Sequence, residues 1–118
     1  KCDFQNASNA GSSFVILTAD GDTECRPLDD WHKEMSRCDF MHFDMEGSEL
    51  AAMKGAAKII AQFRPVILLE IAQWVLERNG LRESDVTDYL ASIGYRWENA
   101  EPGYGPEYPQ RDILCLPK

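Results

Sequence analysis

The sequence has no apolar run approaching the ~20 residues that a membrane-spanning helix needs, and no signal-peptide pattern opens it. A membrane role is therefore not expected, and the expected location is the cytoplasm. Positive charge is scarce: 12 Lys and Arg against 20 Asp and Glu leave a formal net charge of −8. Binding to a phosphate backbone needs clustered Lys and Arg, so nucleic acid is excluded as the expected partner. The four cysteines (Cys2, Cys25, Cys38 and Cys115) form no CxxC pair and no zinc-like spacing. No metal site is expected from them, and reduced thiols are the default for a domain of this size. Internal repeats and an inner domain boundary are also missing. The first residue is Lys1, not Met, which leaves the true N-terminus open.

What is present is an ordinary globular composition, 44% hydrophobic and 27% charged over 118 residues. One domain, residues 1–118, is expected, able to bury roughly two-thirds of its unfolded surface. Residues 1–13 are small and polar and read as a loop. Phe14–Thr18 is a short β-branched strand stopped by Asp20-Gly21, and Thr23–Arg26 is a second extended candidate. Pro27–Ser36 fits a short helix, with Pro in its first turn and Leu28, Trp31 and Met35 on one face. Asp39–Asp44 is a strand apolar on both faces, as in a parallel sheet covered on each side. From Ser48, a plausible N-cap, the residues Leu50, Met53, Ala57, Ile60 and Phe63 are spaced for one helix, which Pro65 ends. Val66–Ile71 is again a fully apolar strand, with Glu70 near its end. Ala72–Arg78 is a short helix or irregular connection before Asn79-Gly80. A further helix covers 84–93, with Gly94 as its C′ residue. Tyr95–Glu98 is a strand, Asn99–Gln110 a loop rich in Pro, Gly and Tyr, and Asp112–Leu116 a closing strand. This alternation implies an α/β layer fold, with the last two strands antiparallel.

The chain is organised around Cys38–Glu49 (CDFMHFDMEGSE), where an apolar strand ends in Asp44, Glu46 and Glu49 around Gly47. In open α/β sheets ligands sit at the carboxyl ends of the parallel strands, and that edge also receives Glu70. The acids can be read in two ways. One is a helix-terminus device worth up to ~1 kcal/mol. The other is a site for a substrate hydroxyl or a divalent ion, since hard oxygens suit such ions. His42, two residues before Asp44, shares its side of the strand. It is either a packed, hydrogen-bonded residue or a general base. Trp97 and the tyrosines near the last strands could wall an acceptor pocket, or their loop could be mobile.

The run DFMHFDMEGSELAAMKGA, followed by RPVILLEI and SIGYRW, resembles the C-terminal half of the FkbM family of methyltransferases. The matching positions are Asp44, Glu46-Gly47, Glu49, Lys54-Gly55-Ala56, Pro65, Glu70 and Gly94-Tyr95. Asn9–Ser13 and Pro27–Trp31 add to them, so the resemblance covers roughly residues 9–98. It implies the C-terminal portion of a Rossmann-like class I methyltransferase sheet, parallel strands with a terminal antiparallel hairpin, and S-adenosylmethionine as methyl donor. It implies catalytic roles for Asp44, Glu46 and His42 and acceptor-binding roles for Glu70 and Glu49. His42 stands where the family usually has Lys. The cofactor-binding N-terminal strands and their glycine-rich turn have no counterpart, because Gly103-Tyr104-Gly105 follows no strand. No cofactor-binding residue is therefore assigned.

Two functions follow. One is an O-methyltransferase acting on a hydroxyl of a small molecule or sugar, incomplete as a lone chain. The other is a non-catalytic α/β half-domain serving oligomerisation or partner binding. Without a neighbour on its open side, the strand ending at Asp44 is an exposed apolar edge, a pairing liability. It must be covered by a second copy, by residues 14–26, or by a separately encoded N-terminal half. A homodimer is the preferred expectation.

Overall fold

A computed structural model describes residues 2–5, 14–101 and 110–118 of the chain. Its central feature is a four-stranded sheet of β3 (Phe40–Phe43), β4 (Val66–Ala72), β5 (Tyr95–Asn99) and β6 (Gln110–Pro117), in the spatial order β3-β4-β6-β5. β3 and β4 are parallel, with His42 beside Leu68. β6 runs antiparallel to both β4 and β5 and lies between them. β3, β4 and β5 thus point one way and the closing strand returns through their midst. The mixed α/β class and the antiparallel final pair agree with the sequence reading.

Alternation along the strands decides which face is core. Met41 and Phe43 on β3, Ile67, Leu69 and Ile71 on β4, Tyr95 on β5, and Ile113 and Cys115 on β6 are buried. They form one cluster with side chains from α1 (Glu49–Gly55), α2 (Ala57–Phe63), α3 (Gln73–Arg78) and α4 (Glu83–Ser92). The opposite face is different. Phe40 is 54% exposed, His42 is exposed, and Val66, Leu68, Leu114 and Leu116 are only half-buried. The expectation of a sheet covered on both sides is corrected to one covered face among the described residues, because every helix contributing to the cluster packs on the same side.

Four local expectations also change. Cys2–Gln5, expected as loop, forms β1 and pairs antiparallel with β2 (Phe14–Leu17), Cys2 opposite Leu17. β2 therefore belongs to a separate two-stranded sheet and is not added to β3, which remains an end strand of the larger one. No strand forms over Thr23–Arg26. The helix expected at Pro27–Ser36 is a 3-10 helix, Leu28–Glu34, with no buried residue; its apolar residues are too exposed to anchor an α-helical face.

The single helix expected from Ser48 onward is broken at Ala56. The cause is a tertiary contact. Asp29 reaches in from the 3-10 helix and accepts hydrogen bonds from the Lys58 N–H at 3.0 Å and the Ile59 N–H at 3.2 Å. Those amides would otherwise continue the ladder of α1. Asp29 thus caps α2 in the way an N-terminal acid does.

The far end of α2 is fixed by a second long-range device. Arg64 closes the helix in the left-handed conformation (φ 50°, ψ 49°). Its guanidinium donates to the carbonyls of Ile93 and Gly94, each at 2.7 Å, and stacks 4.5 Å above the Tyr95 ring. The buried Tyr95 hydroxyl donates to the Pro65 carbonyl at 2.8 Å. The Ile93 and Gly94 carbonyls lie just past the end of α4, and the Gly94 carbonyl also accepts from the Lys118 N–H at 2.9 Å. Cys115 is buried, and burial pushes its thiol pKa up to about 12, which makes it inert packing rather than a reactive group.

Candidate functional site

The C-terminal end of β3 opens into a turn whose shape comes from two positive-φ residues in succession, Glu46 at φ 51° and Gly47 at φ 98°. A non-glycine residue in that region is uncommon and costs energy unless its surroundings fix it. They do so here. Glu49, the first residue of α1, is 3% exposed. Its Oε1 accepts from the Met45 N–H at 2.9 Å and the Gly47 N–H at 3.1 Å. Ser48 N–H donates to the Met45 carbonyl. From the other side, the Asn79 side-chain amide donates to the Gly47 carbonyl at 2.9 Å.

This turn carries Asp44 and Glu46 to the end of β4, where Glu70 stands. The three carboxylates converge, each offering an oxygen within 4.8 Å of the others. Asp112 on β6 is the cross-strand partner of Glu70, so a row of acids runs across the sheet edge. Facing acids of like sign repel, and the Glu70 carboxyl is itself perturbed. Its pKa is raised, chiefly by burial; the Gln110 amide, which donates to its Oε1, opposes the shift, while the charge and hydrogen bond of Asp44 and the charge of Glu46 add to it. A cleft of about 310 Å³ opens beside this edge, lined by Glu70, Glu101, Gln110, Arg111 and Asp112.

Arg111 does not neutralise the acids of the cleft. Its side chain is 7% exposed and makes a two-pronged pair with Glu83 at the start of α4, through Nη1 at 3.1 Å and through Nη2. Carboxylates alone favour groups that donate hydrogen bonds, such as hydroxyls, over anions.

The expected residues therefore divide. Asp44, Glu46 and Glu70 come together. His42 sits on the exposed face of β3, one pleat before Asp44. Glu49 is turned inward onto the backbone. Trp97 is 40% exposed on β5, whereas Tyr104, Tyr108 and the Gly103–Gly105 segment lie outside the described residues. Sequence reasoning had no role for Asn79, Gln110 or Asp112. Asn79 had served only as a stop signal, and the other two reach the site because β6 inserts next to β4.

The turn at Gly47 was tested as a cradle for a cofactor carboxylate or phosphate, and it does not fit. Such a cradle offers free backbone N–H groups, but those of Met45, Gly47 and Ser48 already have partners. No described segment forms a glycine-rich strand-to-helix turn of the nucleotide-binding kind.

Among known protein families, the methyltransferase FkbM domain matches residues 1–97. Comparison with curated proteins and with solved structures found no match.

Proposed function

Because the chain belongs to the FkbM methyltransferase family, we propose that it presents the acceptor side of a methyl transfer to a hydroxyl of a small molecule or sugar. The donor implied by the family is S-adenosylmethionine, and no residue described here is assigned to holding it. The reading rests on one observation: Asp44, Glu46 and Glu70 meet at the carboxyl ends of two parallel strands beside an open cleft.

In this reading Asp44 and Glu46 accept hydrogen bonds from the acceptor hydroxyl and fix the direction of its oxygen lone pair. Alignment of that kind is the main contribution a protein makes to a displacement reaction. Glu70, held above its ordinary pKa by burial and by Asp44, is the carboxyl suited to take up the hydroxyl proton. A base tuned upward toward the working pH transfers protons more effectively. His42, on β3 two residues before Asp44, is the alternative base. The donor site would be completed by chain beyond the described residues, a second copy being one source, and the end position of β3 among the described strands supports such pairing. Three strands of one direction with a reversed closing strand support reading the sheet as the C-terminal portion of a Rossmann-like methyltransferase fold.

The test is calorimetric titration of the 118-residue chain with S-adenosylmethionine, once light scattering has fixed its oligomeric state. Saturable binding in the micromolar range is expected if copies complete one another, and acceptor screening with Asp44→Asn and Glu70→Gln as controls would follow. Absence of heat up to millimolar donor would refute the self-sufficient enzyme.

A further inference from the structure

Asp44, Glu46 and Glu70 sit on two separate pieces of chain, the turn after β3 and the end of β4; the parallel pairing that sets Phe43 beside Leu69 places Asp44 near Glu70, and the placement of Glu46 needs a further explanation. Nothing in the covalent chain fixes the turn against β4. The connection comes from α3, which follows β4 without a break and ends in Asn79. The same stretch thus supplies Glu70 at one end and, at the other, the amide that holds the Gly47 carbonyl. On the near side the Glu49 carboxylate holds the N–H groups of Met45 and Gly47, the two residues flanking Glu46. Between these two grips lies Glu46 itself, in a left-handed conformation that a free turn would abandon. The fit is close: a β-carbon at Gly47 would lie 2.7 Å from the Asn79 amide nitrogen and 2.7 Å from the Val75 carbonyl oxygen.

We propose that Asn79 and Glu49 are positioning residues of the acid site, gripping the turn after β3 from opposite sides so that Glu46 stays beside Asp44 and Glu70. The inference rests on reading the acid cluster as the acceptor site. Neither residue touches the acceptor: Glu49 has its carboxylate on the backbone, and Asn79 acts through Gly47. This gives the EGSE segment a division of labour in which its first acid joins Asp44 and Glu70 and its second shapes the turn.

The experiment uses isotope-labelled full chain with Asn79→Ala and, separately, Glu49→Ala. It reads amide hydrogen exchange at Met45 and Gly47 together with the Glu70 carboxyl titration by carbon NMR. Loosening the turn by one hydrogen bond of ordinary strength should speed Gly47 exchange by about five- to tenfold, and Glu49→Ala, which leaves no acceptor, should speed both amides. In Asn79→Ala the Glu70 midpoint should fall, because the Glu46 charge is released from its side. A purely structural Asn79 would lower the melting temperature and leave that midpoint in place, which would overturn the proposal. Unchanged exchange at Gly47 in both variants would overturn it as well. Neither readout needs a methyl donor or an acceptor. A failed donor titration therefore leaves this result standing, and an unmoved Glu70 refutes the grip without touching family membership.

Discussion

Adding one methyl group at Gly47 should damage the protein far more than the same change at Gly80, although both residues have positive φ, 98° and 68°. An L-residue in left-handed backbone loses about 1–2 kcal/mol. At Gly80 that is the whole cost, because a β-carbon there meets nothing within 4 Å. At Gly47 it would also meet Val75 Cγ1 at 2.9 Å, besides the Asn79 amide and the Val75 carbonyl, both nearer still. The Asn79 side chain can swing away at the loss of its hydrogen bond, but the Val75 carbonyl belongs to a helix and moves only with it. Overpacking of this kind costs about 1–3 kcal/mol, so Gly47→Ala should lose about 2–5 kcal/mol in all. Urea unfolding followed by far-ultraviolet circular dichroism measures both variants against the parent. At roughly 4 °C per kcal/mol for a chain of this size, thermal melts should separate the two clearly. Equal losses for Gly47→Ala and Gly80→Ala would refute the steric argument and with it the tight seat of the turn.

Two further outcomes follow from bonds already described. Tyr95→Phe removes the one side-chain donor to the Pro65 carbonyl among the described residues and should cost ~1–3 kcal/mol in denaturant titration; a loss near zero would mean that the hydroxyl does not tie the start of β5 to the segment before β4. For Glu70 the sign runs with its raised pKa. Relative to the unfolded chain, the fold disfavours the ionised carboxylate, so the stability this group contributes is complete below its ordinary value of 4.5 and is lost as pH rises through its folded midpoint. Glu70→Gln should therefore raise the melting temperature at neutral pH, and the gain should vanish once the pH is below 4.5. A gain of the same size at both pH values would refute the assignment.

Much of the architecture was legible because it is written in local pattern. The apolar run Val66–Leu69 announced a central strand, and Gly94 marked the end of α4 through the conformation it adopts, φ 75°. The convergence of Asp44 and Glu70 followed from two parallel strands ending at one edge. What remained illegible was set by contacts remote in sequence. Asp29 splits the expected long helix, and its partner amide lies 29 residues further on. No periodicity in Ser48–Phe63 could announce that. The open second face of the sheet was hidden for a related reason: Phe40, Val66 and Leu68 are apolar whether or not anything packs on them. Asn79 was visible only as a turn former, since the carbonyl it holds belongs to a residue 32 positions earlier.

The bolt formed by Arg64, Pro65 and Tyr95 has a bearing on how the chain comes apart. β5 is an end strand of its sheet, and end strands ordinarily fray one residue at a time. Here the first residue of that strand is fully buried and tied to the segment between α2 and β4, while Arg64 holds the carbonyls just past the end of α4. Peeling β5 therefore breaks the terminus of α4 and uncovers the start of β4 in the same event. The outermost strand of the sheet opens as part of its most cooperative unit.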